Sequence, residues 1–334
     1  MSAADWSLET LAAYLHQALP GCSGLPQVER ISGGQSNPTY FITFPERRLV
    51  LRKQPPGILL PSAHAIDREF RVLRALDGTG VPVPEALHFC EDRAIIGTPF
   101  YLMERLEGRV FHDCTLPGVP AGQRHAMVLS VAEALAALHA VEPQAVGLGD
   151  FGRPGDYFAR QVSRWSRQWQ ENRTREDAAM DRLIDLLPRH IPPGEVQSIV
   201  HGDFRIGNMM FHPTEPRVIA ILDWELATLG HPLADLAHFS MAYVTAPDEY
   251  GGLLGLDLAR LGLPGQAEFE EAYRRASPHG LGLQPFHMAF ALFRWAAIFE
   301  GIAYRAQRGT ANAGNAGEIG RLSAVFAQRA VDYL

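Results

Sequence analysis

The period of the hydrophobic pattern changes once along this 334-residue chain, near Gly108. Before that point apolar residues come in short runs: "VERI" (28–31), "YFITF" (40–44), "LVLRK" (49–53), "VPVPEALHFCED" (81–92) and "TPFYLMERL" (98–106). Glycine, proline and polar clusters separate them, which is how strands and turns alternate. Between the third and fourth runs, "AIDREFRVLRAL" places Ile66, Phe70, Leu73 and Leu76 on one helical face. A helix is also expected over residues 5–19, with Asp5 or Ser7 as its N-cap. After Gly108 long helical stretches take over, among them "AMVLSVAEALAALHAV", "YFARQVSRWSRQWQEN" and "FHMAFALFRWAAIFEGIAYRAQR". The pattern predicts an α+β chain. A small antiparallel sheet with one inserted helix is followed by a larger, mainly helical part. The boundary falls at 105–110, giving units of 1–105 and 106–334 with a cleft between them for a ligand.

Composition narrows the function. Charged residues make up 20% and hydrophobic residues 47%, the balance of a globular chain. A formal net charge of −7 argues against a dedicated nucleic-acid binder, which needs massed Lys and Arg. The 3 cysteines, Cys22, Cys90 and Cys114, are sparse and odd in number, so they read as reduced thiols in a cytoplasmic protein. No leader-like segment opens the chain, and no uninterrupted apolar run of membrane length occurs, so no membrane span is expected.

The chemistry concentrates in His201-Gly202-Asp203-Phe204-Arg205-Ile206-Gly207-Asn208, followed by Asp223-Trp224-Glu225. The first segment follows the strand-like "SIV", and Asp223 ends the apolar run "VIAIL". Two short strands joined by a tight turn would gather Asp203, Asn208 and Asp223 at one end of a hairpin. Carboxylate and amide oxygens converging there suit Mg²⁺ and nucleotide phosphates. A further carboxylate could orient an attacking hydroxyl, so the pattern points to phosphoryl transfer.

"HGDFRIGN" with "LDWE" resembles the catalytic and metal loops of the aminoglycoside phosphotransferase and choline kinase group, and the order of the other elements fits along nearly the whole chain. Gly202 stands where protein kinases carry Arg, and Trp224 where they carry the Phe of DFG. The resemblance implies a bilobal protein-kinase-like fold. It implies ATP and Mg²⁺ as cofactors, with residues 1–105 as the nucleotide lobe and 106–334 as the catalytic and acceptor lobe. It makes Asp203 the catalytic base, and Asn208 and Asp223 the metal ligands. His201 and Asp235 become orienting residues of the loop.

The same resemblance assigns weaker positions. "SGGQSNPTY" offers Gly33, Gly34, Ser36 and Asn37 to the phosphates. Arg52 or Lys53 supplies a phosphate-binding cation. Alternation puts the two on opposite faces, and the family's habit of a cation after an apolar pair favours Arg52. Glu69 is its expected salt-bridge partner. Backbone groups from Glu104 to Leu106 would meet adenine. Arg160, Arg164 and Arg167 form a basic helical stripe, and Arg294, Tyr304 and Arg305 are acceptor-binding candidates. Basic residues in the cleft would favour an anionic small-molecule hydroxyl acceptor over a polycation.

The wording of "LRKQPPG", "GLGDFGRPGDYFARQVSRW" and "LDWELATLGHPLADL" is most similar to the kinase-like domains found with acyl-CoA dehydrogenases. That implies a hydroxy acid or hydroxyacyl thioester as acceptor, and work alongside such a dehydrogenase. Two other readings remain open from the residues: a metal-dependent hydrolase built on His201, Asp203 and Asp223, with His212 and His231 nearby, or a non-catalytic nucleotide-binding module. Asp150-Phe151-Gly152 spells DFG but precedes the catalytic loop, so it is read as a connector.

Overall fold

The computed structural model describes residues 6–31, 37–57, 65–309 and 316–334. Helix α1 (Leu8–Ala18) starts at Ser7, whose Oγ accepts a hydrogen bond from the Thr10 amide at 3.1 Å. Strands β1 (Gln27–Arg30), β2 (Thr39–Thr43) and β3 (Arg48–Lys53) follow, then α2 (Ile66–Leu76), β4 (Ala86–Cys90), the short α3 (Arg93–Ile96) and β5 (Phe100–Glu104). The five strands form one antiparallel sheet in the order β1-β2-β3-β5-β4. One face of the sheet carries Ile42, Leu49, Leu51, Phe100 and Leu102 against Leu11 and Leu15 of α1. Arg52 lies on the other face, toward α2.

The remainder is mainly helical: β6 (Arg109–Val110), α4 (Ala121–Ala140), α5 (Tyr157–Asn172), α6 (Ala178–Leu186), β7 (Ser198–Val200), β8 (Met209–Phe211), β9 (Val218–Ile221), β10 (Thr228–Gly230), α7 (Leu233–Val244), α8 (Leu258–Leu261), α9 (Gln266–Ala276), α10 (Pro285–Gln307) and α11 (Ala316–Val331). The predicted architecture is therefore observed: an N-terminal antiparallel sheet with a helix after its third strand, and a larger helical part. Helix α10 has the length and apolarity to cross a membrane, yet 78% of its most apolar window is buried inside the fold. It packs against α5, α7 and α11, so its hydrophobicity is that of a core helix.

Two ties fasten α2 to the helical part. Apolar residues of α2, Val72, Leu73 and Leu76, share one cluster with Leu135 of α4, Ile221 of β9 and Trp224. Arg68 donates to the Phe151 carbonyl at 2.7 Å with its guanidinium over the Phe151 ring, and Arg71 donates to the Gly147 carbonyl and pairs with Asp150. The DFG-spelling stretch is thus a clasp for α2. A side chain at Gly152 would collide with Thr228 and Leu229 of β10.

Candidate active site

Strand β7 pairs with β10 and delivers His201 to Asp203, while β8 and β9 form an antiparallel hairpin with Met209 opposite Ile221. That register puts Asn208, just before β8, level with Leu222, just after β9; the Leu222 amide donates to the Asn208 carbonyl at 2.8 Å. Asn208 and Asp223 therefore emerge at the same end of the hairpin. The His201 ring bridges the two loops. Its Nδ1 accepts from the Asp203 amide at 3.2 Å, so Nε2 carries the proton and donates to the Leu222 carbonyl at 2.9 Å. With both ring nitrogens engaged, His201 has none left for a metal, which removes it from the ligand set of the hydrolase reading. Among the described residues no cluster of three His, Cys, Asp or Glu side chains is arranged for a metal ion.

Gly202 has φ +82°, and a Cβ there would lie 2.7 Å from the Leu226 carbonyl oxygen. The loop thus has no room for the Arg that protein kinases place here. Asp235, buried at the start of α7, accepts from the His201 amide at 2.6 Å and the Gly202 amide at 2.9 Å. Burial penalises its charge, but His139, His201 and the Gly202 amide outweigh that and hold its pKa below the usual range.

The Asp203 carboxylate is oriented from both sides. Oδ2 accepts from Asn208 Nδ2 at 2.9 Å and Arg205 Nε at 3.2 Å. Oδ1 lies 3.4 Å from His238 Nε2. Burial opposes ionisation, yet His238, Arg205 and His201 bring the pKa below the ordinary carboxylate value. Asp203 is thus an anion at neutral pH, with Oδ1 its less occupied oxygen. The Asn208 amide nitrogen is spent on Asp203, which leaves Oδ1 of Asn208 as the group able to face a cation. Asp223 sits in left-handed backbone, φ +67°, and its Oδ1 accepts from Arg52 at 2.6 Å.

Arg52 joins this loop to the sheet. Its Nε lies 2.7 Å from Glu69 Oε2, and Glu69 also accepts from Tyr101 OH at 3.1 Å and Asn37 Nδ2 at 2.5 Å. Burial works against the guanidinium charge, but Glu69, Tyr101 and Asp223 raise its pKa further above the usual range. The Glu69 carboxyl, only 1% exposed, is raised by burial despite Arg52. Lys53 points the opposite way, buried with its Nζ 4.5 Å from the centre of the Trp6 ring. The alternation along β3 thus turns Arg52, and not Lys53, toward Asp223.

Other expected positions fall differently. Gly33, Gly34 and Ser36 lie outside the described residues. The Asn37 side chain bonds Glu69, so its placement is that of a brace for Glu69. The Glu104 amide donates to the Glu85 carbonyl at 2.9 Å, so that N–H is spent within the sheet and cannot also meet adenine. Leu106 follows β5 in half-buried backbone. Arg294 reaches the loop, donating to the Gly202 carbonyl at 2.6 Å, and its Nε is buried with no partner among the described residues. Tyr304 and Arg305 are not brought to the loop: a helix rises about 1.5 Å per residue, which sets them about 15 Å beyond Arg294 along α10. Tyr304 is covered by Arg308 instead. The basic stripe of α5 also misses the loop. Arg160 is tied to the Arg153 and Pro154 carbonyls, Arg164 lies over Trp165, and Arg164 and Arg167 are exposed.

The sequence reading passed over His238, Arg205 and Tyr101. Their one available signal was a polar or basic side chain inside an otherwise apolar motif, as in "DLAHFSMAY". A narrow cleft is lined by His112, Arg205, His238, Met241, Tyr250 and Trp295, of which Arg205 and His238 also contact Asp203. Its walls are largely aromatic and aliphatic, with cationic Arg205 at the Asp203 end.

Burial pushes His238, His231 and His287 each down to about 4. An unfolded chain binds these protons near pH 6.5 and the folded chain only near pH 4. Stability is therefore expected to be full above about pH 6.5 and to fall as pH drops toward 4, with up to about three protons taken up on unfolding. Urea midpoints measured across this range check the sign; a flat profile would contradict the buried neutral rings.

A half-buried carboxylate near a narrow cleft, two further oxygen donors at a hairpin end and an ion pair between Arg52 of β3 and Glu69 of α2 fit a small-molecule kinase with a hydroxyl acceptor. The chain belongs to the phosphotransferase enzyme family, whose family model matches residues 27–279. It is 44% identical over 319 residues to acyl-CoA dehydrogenase family member 10 of Mus musculus, covering 93% of this chain and 29% of the mouse protein. It is 42% identical to probable acyl-CoA dehydrogenase IBR3 of Arabidopsis thaliana, covering 89% of this chain and 39% of that protein. The chain thus spans less than half the length of these relatives. A solved Ralstonia eutropha protein, provisionally described as an aminoglycoside phosphotransferase, superposes with a TM-score of 0.90 at 42% identity over 98% of both chains. A thermostable mutant of APH(4)-Ia, in ternary complex with ADP and hygromycin B, gives 0.62 at 17% identity over 97% of this chain and 98% of that one, a likeness of fold.

Proposed function

We infer that this chain moves the γ-phosphoryl group of ATP to the hydroxyl of a hydroxy acid or hydroxyacyl thioester. The observation that carries this is the Asp203 carboxylate, held by Asn208 and Arg205 and flanked by Arg205 and His238, both of which line a largely apolar cleft. The aromatic and aliphatic walls suit an acyl arm. A polycationic aminoglycoside would meet Arg205 with like charge. The relatives' names carry acyl-CoA as their substrate chemistry, which favours a thioester and joint work with an acyl-CoA dehydrogenase. ADP in the APH(4)-Ia complex supports ATP as the donor. Residues 1–105 then form the nucleotide lobe and 106–334 the catalytic and acceptor lobe, with adenine near Glu104–Leu106 and the protein in the cytoplasm.

Each residue has a defined task. Asp203 takes the proton of the acceptor hydroxyl as its oxygen bonds to the γ-phosphorus and the bond to the β-phosphate oxygen breaks, releasing ADP. Arg52 holds the phosphate tail, kept in place by Glu69 and, through it, by Tyr101 and Asn37. His201 and Asp235 fix the backbone that carries Asp203. Asn208 Oδ1 and the Asp223 carboxylate are hard oxygen donors that fit Mg²⁺. When bound there, Mg²⁺ supplies charge neutralisation on the phosphates.

Asp223→Ala is expected to remove most of the Mg²⁺-dependent part of the ATP thermal shift; an unchanged shift would take Asp223 out of the metal site. The acceptor is tested by ATP consumption over hydroxy acids, hydroxyacyl-CoAs, choline-like alcohols, sugars and aminoglycosides. Turnover is expected with hydroxyacyl-CoAs or hydroxy acids. Turnover confined to aminoglycosides would overturn the acceptor class.

A further inference from the structure

His238 stands apart from the recognised loop motifs, on α7 three residues after Asp235. Its side chain is buried, with the residue 5% exposed. Nε2 lies 3.4 Å from Asp203 Oδ1, and among the described residues no other ion pair and no hydrogen bond reaches that oxygen, both side-chain bonds of the carboxylate being to Oδ2. Nδ1 is buried with no hydrogen-bond partner. The ring stands edge-on to Trp295 at 5.5 Å and forms part of the cleft wall. A buried ring nitrogen without a partner is destabilising relative to a satisfied or apolar side chain. A Phe or Leu would fill this wall without that cost. Packing therefore does not account for a histidine here, whereas its contact with the carboxylate does.

We propose that His238 is the positioning residue for Asp203, limiting the swing of Oδ1 from its Nε2 edge, 3.4 Å away, behind the cleft wall that His238 and Arg205 form. The proposal rests on the reading of Asp203 as the base. The charged groups around the ring are Asp203 and Arg205 on the catalytic loop, Asp235 on α7 and Arg294 on α10. Two cationic groups oppose protonation of the ring, and burial does so more strongly, so the ring is neutral at neutral pH; the anionic oxygen beside Nε2 favours the tautomer with the proton on that nitrogen. Asn208 and Arg205 fix one oxygen of the carboxylate. Without a contact at the other oxygen, the plane of the carboxylate can rotate about the fixed one. A rotated carboxylate still lies near the phosphates but no longer aims at the hydroxyl proton. The loss therefore belongs in kcat and not in nucleotide affinity.

The test uses phosphate release from MgATP in water, where water takes the place of the alcohol, and the same assay with 3-hydroxybutyryl-CoA added. His238→Phe is expected to lower kcat about 10- to 100-fold, the usual effect of removing an outer-shell orienting group. KM for MgATP and the MgATP thermal shift should stay within about twofold of the parent. His238→Gln, whose amide N–H can reach the same oxygen, should recover most of the rate. His238→Leu replaces the Phe variant if that one does not fold. Parent-like kcat in the apolar variants overturns the proposal. So does a Gln variant as slow as the Phe variant with an intact MgATP shift, or a loss confined to KM for MgATP. Asp203→Asn run in parallel separates the two claims: if it too keeps the parent rate, the base assignment fails first. If it is inactive while His238→Phe is normal, only the role of His238 fails.

Discussion

Asp203→Asn is expected to keep the MgATP thermal shift of the parent and to lose about 10²- to 10⁴-fold in kcat, the usual worth of a general base. The substitution preserves shape and leaves an oxygen for Asn208 Nδ2 and Arg205 Nε, which now hold Oδ2. It removes the negative charge and the proton affinity. Nucleotide contacts assigned to Arg52 and Asp223 lie on other elements and should be spared. A purified Asn variant that phosphorylates its acceptor near the parent rate would show that another group takes the proton. A variant that loses the MgATP shift as well would place Asp203 among the nucleotide ligands instead.

Asp235→Ala is expected to cost about 2–5 kcal/mol of folding stability, since two buried amides each lose their acceptor. Those amides belong to His201 and Gly202, next to Asp203. Asp235 is 1% exposed and shares its surroundings with the fully buried His139 ring. The penalty should appear as a lower urea midpoint with an unchanged slope. Activity should fall too, because the loop loses the strap that sets its path. A loss below about 1 kcal/mol would mean that the amides find other partners and that Asp235 is an ordinary helix-start carboxylate.

Elements whose information is local were legible in the sequence. The period-two runs before Gly108 became the five-stranded sheet, and helix α5 spans Tyr157–Asn172, the stretch its periodicity marks. Asp203, Asn208 and Asp223 sit within 21 residues around one hairpin, so spacing alone gathers them. Side chains that meet across long separations were harder to read. Arg294 reaches the Gly202 carbonyl 92 positions away because α10 packs beneath the loop, and periodicity does not encode which face of an all-apolar helix turns that way. The same limit misplaced Tyr304 and Arg305, which share the helix but not its height. His238 reaches Asp203 only through the docking of α7. Asn37 was assigned to phosphate from its loop, but a buried carboxylate two elements away captures its amide. Desolvation makes such an unmet acceptor costly, and a loop sequence carries no record of that demand.

The clasp on α2 has a consequence for control. In many phosphotransferases of related architecture, switching off means swinging the helix that bears the glutamate away from its cation. Here that helix is riveted: Arg68 and Arg71 grip the 147–152 connector, and the aliphatic side of the helix is sunk into the same oily mass as α4 and β9. Outward travel would tear all of this at once. The contacts therefore keep Glu69 at Arg52 by anchoring the whole helix that carries it.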